Sequence, residues 1–85
     1  MIYENVKRVR VTRGITKRRI ARGIDVTEMT YGRIENGNSK LSAEHLKIIA
    51  TILGVPVATF FDEKLTDTVI KEIASVSSSK EKQLA

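Results

Sequence analysis

The apolar residues of this chain recur at helical spacing from end to end, and no stretch alternates with the two-residue period of a strand. That regularity predicts an all-α fold. Punctuation then divides the run into elements. Ile2, Val6 and Val9, continued by Arg13, form a stripe on a first helix that stops at Gly14. Thr16 is a good N-cap for a short second helix with Ile20, Ala21 and Ile24 inward. Asp25 and Val26 make a tight turn. Thr27 then caps a third helix, which carries Tyr31 and Ile34 inward and is stopped by the Asn36-Gly37 pair. Ser42 caps a fourth, whose core face of Leu46, Ile49, Ala50 and Leu53 ends at Gly54. Pro56 suits the first turn of a short fifth helix with Val57, Phe60 and Phe61.

Beyond Asp62 the pattern changes. Leu65, Val69, Ile70 and Ile73 keep helical spacing on an otherwise polar sequence, which predicts a sixth helix from about Thr66 to Val76. The last stretch, VSSSKEKQLA, is rich in serine and charge and reads as a flexible tail. The chain of 85 residues is long enough for one small domain. It divides into a compact unit over 1–62, an added helix over 63–76 and a tail over 77–85.

Charge narrows the function. Residues 1–24 hold Lys7, Arg8, Arg10, Arg13, Lys17, Arg18, Arg19 and Arg22 against the single acid Glu4. The total is +5, so the remainder is net acidic. Such asymmetry points a basic face at a polyanion, although a solubilising surface has the same signature. Membrane lipid fits less well, because no aromatic-anchored amphipathic segment accompanies the charges. The longest uncharged run, Ile48 to Phe61, contains two threonines and a proline and is too short to span a bilayer. Without cysteine there are no disulfides or thiolate metal sites, and MIYENVKRVR has no signal-peptide character, so a cytoplasmic protein is expected. His45 is the only histidine, and Glu44 and Asp25 have no acid/base companion. No enzyme activity, metal or cofactor is expected.

Two short helices joined by a tight turn, over Thr16 to Asn36, have the plan of a helix-turn-helix. Here the chain closely resembles the DNA-binding domain of phage repressors and Cro proteins, the xenobiotic-response-element family. The matching residues are IT at 15–16, IA at 20–21, Val26, Thr27, RIENG at 33–37 and S..HL...A..LGV across 42–55. The resemblance covers roughly residues 2–62. It implies a five-helix, lambda-repressor-like bundle that binds palindromic double-stranded DNA operators as a homodimer. The third helix would be the recognition helix. It further implies that Arg10 and Glu35 form a partly buried ion pair, better read as fixing orientation than as adding stability. The chain departs from the family at Lys17, where Gln is frequent, and at Asp25, where Gly is preferred.

The residues add their own argument. Lys17, Arg18 and Arg19 fill the first turn of the second helix, where the macrodipole disfavours each cation by ~0.3–1 kcal/mol. Such local violations tend to mark functional sites, and a bound phosphate would reverse their sign. Phosphate contacts are therefore expected from Thr16, Lys17, Arg18 and Thr27. Asn36, Asn38 and Lys40 in the following loop are also candidates, because the family uses that loop on phosphates. Base contacts fall to Glu28, Met29, Thr30 and Arg33. Glu28 suits a helix N-terminus electrostatically, and it can also accept from a cytosine amine. Met29 can pack on a thymine methyl or simply be exposed, whereas Arg33 can reach guanine O6 and N7 together.

Self-association is expected from the stripe of Leu65, Val69 and Ile73 with neighbouring Phe60 and Phe61, the alternative being that the stripe packs on its own core. Truncation after Lys64 should then leave a folded monomer. The reading is a sequence-specific transcriptional regulator, most often a repressor, with a regulatory protein partner as one route for its signal. The rival is a protein-interaction module, such as an antitoxin-like or anti-repressor subunit.

Overall fold

The computed structural model describes residues 1–84, with side chains described through residue 76; the expected flexible tail over 77–85 lies outside the fully described residues. Helices α1 (Ile2–Arg13), α2 (Lys17–Gly23), α3 (Glu28–Glu35) and α4 (Ala43–Leu53) are followed by a 3-10 helix, Val57–Phe61, and by α5 (Glu63–Leu84). No strand occurs among the described residues.

Local chemistry explains the boundaries. The hydroxyls of Thr16, Thr27 and Ser42 each accept from the backbone N–H three residues on, at 3.1 Å. Each such cap stabilises its helix by roughly 1 kcal/mol. Helices α1 and α4 end at Gly14 and Gly54, both in the left-handed region at φ 70°. Asp25 adopts the same region at φ 58° in the turn between α2 and α3, so the position where the family prefers Gly does require positive φ. Pro56 sits one residue earlier than expected, as an extended N-cap, and the element after it is 3-10 rather than α. Asp62 starts α5 ahead of Thr66 by accepting from the N–H groups of Lys64 (2.8 Å) and Leu65 (3.2 Å).

The inward faces meet in one core. Val6 and Val9 of α1, Ile20 of α2, Tyr31 of α3 and Ile49 and Leu53 of α4 are almost fully buried. Arg13 closes the α1 stripe differently: it is exposed, and its Nε donates to the Leu53 carbonyl (3.0 Å) at the end of α4.

Helix α5 corrects the expected association stripe. Phe60 and Ile73 belong to the core, and Val69 packs against it. Thr66 is fully buried, donating to the carbonyls of Thr59 (2.7 Å) and Asp62 (3.0 Å). Asn5 ties α1 to the same corner through the Phe60 carbonyl (3.0 Å), and Arg8 pairs with Asp67. The stripe turns inward because α5 packs against α1, and Val6, Val9 and Ile73 share one core; each aliphatic side chain so buried is worth about 1.5–3 kcal/mol. Only Phe61 and Leu65 remain exposed, at 62% and 46%. A chain cut after Lys64 would lose core residues, so truncation does not isolate an interface.

Candidate nucleic-acid interface

Helices α2 and α3 are coupled through a turn in which the Val26 N–H reaches the Ala21 carbonyl (3.0 Å) and Asp25 N–H the Arg22 carbonyl (3.3 Å). Tyr31 and Ile34 anchor α3 from beneath, leaving Thr27, Glu28, Met29 and Arg33 exposed and Thr30 half-buried. Met29 is 72% exposed, which no packing role explains. Gly32 has open space where a side chain would stand, so it lets another backbone approach at the cost of ~1 kcal/mol of helix propensity.

The hydroxyls on this face are not equivalent. Thr27 accepts from the Thr30 N–H (3.1 Å) and donates to Thr30 Oγ1 (2.9 Å), so its donor is committed to the helix. Thr30 thereby keeps its own hydroxyl hydrogen for an outside acceptor. Thr16 likewise accepts from the Arg19 N–H and retains its donor.

Cations flank this face. Lys17 is half-buried and its charge acts on Glu35, whereas Arg18 and Arg19 are exposed. None of the three has an acidic partner among the described residues. On the other side, Gly37 turns the chain at φ 80°, with its N–H on the Ile34 carbonyl (3.0 Å) and that of Asn38 on the Arg33 carbonyl (2.8 Å). Those two amides close α3, so outward contacts from this loop fall to side chains. Asn36, Asn38 and Lys40 are all exposed. Tyr3 packs beneath Gly37, its ring 2.6 Å from where a Cβ would lie, which is a second reason for glycine there.

The pair expected of Arg10 and Glu35 is present and bidentate. Arg10 Nε and Nη2 donate to Glu35 Oε2 and Oε1, each at 2.8 Å, and Nη1 donates to the Ile15 carbonyl at 2.8 Å. The Glu35 side chain is 1% exposed. Burial works against its charge, but the Arg10 hydrogen bonds and the nearby positive charges outweigh burial and hold the carboxyl below its ordinary pKa. Burial likewise pushes the adjacent Tyr31 hydroxyl upward, and that hydroxyl has no well-formed hydrogen-bond partner. The arrangement locks the end of α3 to α1 and so sets the angle at which the exposed face is presented.

His45 is half-buried on α4, and no group of His, Cys, Asp and Glu fit to hold a metal occurs among the described residues. No described helix is long and apolar enough to cross a membrane. Asp62 as a cap, Thr66 as a buried donor and the Tyr3–Gly37 contact emerge only in the folded chain. Of these, only Asp62 carried a local signal, an acidic residue just before a helical run.

A family model described as helix-turn-helix matches residues 6–60. No curated protein and no solved structure matches the chain.

Proposed function

The chain belongs to the helix-turn-helix family of phage-repressor and Cro-like DNA-binding transcription regulators, and on that premise we propose that it recognises a palindromic operator as a homodimer and represses by occupying it. That family is one of regulators rather than of enzymes. The observation that carries the proposal is the exposed face of α3, bracketed by cations and hydrogen-bond donors on both sides. Thr16, Lys17 and Arg18 precede α3 at the start of α2, and Asn36, Asn38 and Lys40 follow it in the next loop, all exposed except the half-buried Lys17.

In this reading α3 enters the major groove. Glu28 accepts from a cytosine amine, Met29 covers a thymine methyl, Thr30 donates its free hydroxyl hydrogen, and Arg33 spans a guanine edge. The flanking groups position the helix on phosphates without reading sequence. Thr27 serves mainly as the cap of α3.

Two half-sites about one helical turn (~34 Å) apart need a dimer that sets the spacing. The surface best suited is the exposed pair Phe61 and Leu65, with a groove of about 320 Å3 beside Phe61 lined by Ile2, Tyr3, Leu41 and Leu46. An aromatic ring next to its own groove suits two-fold association, because each copy can offer the ring and receive one.

Selection from random duplex DNA, followed by sedimentation of the chain alone, tests both parts. A single enriched palindrome and a dimer lost in Phe61→Ser are expected. Equal affinity for all duplexes would leave a DNA coat or a protein-binding module, and a dimer unaffected by Phe61→Ser would move the interface elsewhere.

A further inference from the structure

A groove of about 470 Å3 runs between α2 and α4, lined by Thr16, Arg18, Arg19, Arg22, Gly23 and Ile52. Gly23 lies against α4, where the tip of the Ile52 side chain and, farther off, Ile48 occupy the space a Cβ would enter. Ile52 is half-buried at the base of the groove, and Ile48, one turn earlier on α4, is 38% exposed.

Arg18, Arg19 and Arg22 are exposed, and none has an acidic partner among the described residues. They do not all belong to the DNA-facing flank. Arg19 lies about 200° around the helix from Lys17. Lys17 stands on the side from which its charge reaches Glu35. Arg19 and Gly23, one turn apart, share the side that meets α4. Helix α2 therefore carries two positive faces, one toward α3 and one over the groove.

The composition of the groove distinguishes its occupants. A nucleic-acid backbone supplies anions but no aliphatic group, and it would leave Ile48 and Ile52 unused. A protein segment with carboxylates and an apolar side chain satisfies both. We propose that this groove docks an acidic segment of a partner protein, with carboxylates on Arg19 and Arg22 and one aliphatic side chain on Ile48 and Ile52. Guanidinium forks suit carboxylates in bidentate geometry, and their weak hydration favours them at interfaces. The docked segment lies off the exposed face of α3, so a regulator can be held while DNA is read.

The test uses the full chain and a fluorescein-labelled peptide of glutamates carrying two leucines one helical turn apart. Controls replace the leucines by serine or the glutamates by glutamine. Saturable binding of the first peptide alone is expected, with amide shifts confined to residues 16–23 and 48–52. Arg22→Gln should weaken that binding about threefold, the effect of losing one exposed charge pair. Ile48→Ser should weaken it as well, and the salt dependence of DNA binding should not change. Absence of peptide binding, equal binding of the serine peptide, or shifts on α3 would overturn the proposal. So would a DNA salt slope that falls by about one per arginine removed, which would assign the groove to the phosphate backbone.

Discussion

Replacing Arg10 by Met removes three hydrogen bonds and leaves Glu35 buried without a counter-charge. Stranding one member of a buried pair typically costs about 3–5 kcal/mol. The Tyr31 hydroxyl and the Lys17 charge, which also favour ionised Glu35, remain in the variant, which favours the lower end, about 3 kcal/mol. A domain with only ~5–15 kcal/mol in total would lose a large part of its stability. The double variant Arg10→Met with Glu35→Leu should recover most of the loss, because an apolar replacement of both partners is often neutral. It should nevertheless bind DNA more weakly, since nothing then locks the end of α3 to α1. Urea denaturation of the single and double variants measures the stabilities, with unchanged m-values as the check on two-state behaviour.

Acid titration adds a test of sign. In the intact protein the folded pKa of Glu35 lies below its unfolded value, ~4.3. Its contribution is therefore fully present above the unfolded value and is lost as pH falls through the folded one. In Arg10→Met, burial without a partner raises the folded pKa instead, so protonation relieves the variant first. The deficit of the variant should shrink between pH ~7 and ~4. A cost below ~1 kcal/mol, or one that does not change with pH, would refute the buried ionised pair, and a double variant that binds DNA as tightly as the intact protein would refute its orienting role.

Neutralising Lys17 and Lys40 together should weaken binding to every duplex by similar factors and flatten the salt slope by roughly one per lost contact, as titrations at several salt concentrations would reveal. Glu28→Ala should tighten binding to random DNA while losing ~1–3 kcal/mol of discrimination at one base pair per half-site. Paired affinities at one salt concentration decide that, and an unchanged ratio would reduce Glu28 to a partner of the helix dipole. Asp25 is held at φ 58°, so Asp25→Gly should leave thermal stability nearly unchanged, whereas Asp25→Val should cost ~1–3 kcal/mol. Equal melting of the two variants would mean that the turn relaxes.

Helix order and most boundaries were legible in the sequence, because caps and stops act within a few residues. Thr16, Thr27 and Ser42 each bond only three positions ahead, and Gly14 and Gly54 terminate helices by their own φ. The exposed face of α3 was legible for a related reason: Tyr31 and Ile34 determine which side is left outward. What a face meets was not legible. Periodicity placed Leu65, Val69 and Ile73 on one stripe, and the same spacing serves a second copy or the chain's own core. Only the approach of α5 to α1 decided for the core, burying Thr66 and Ile73 and leaving Phe61 and Leu65 outside. The Arg10–Glu35 pair joins residues 25 apart, and only the family resemblance anticipated it. The α2–α4 groove depends on Gly23 and Ile52, which have no local relation at all. Short-range hydrogen bonding and backbone geometry are written residue by residue, whereas the partner of an apolar or charged face is set by which helices come together.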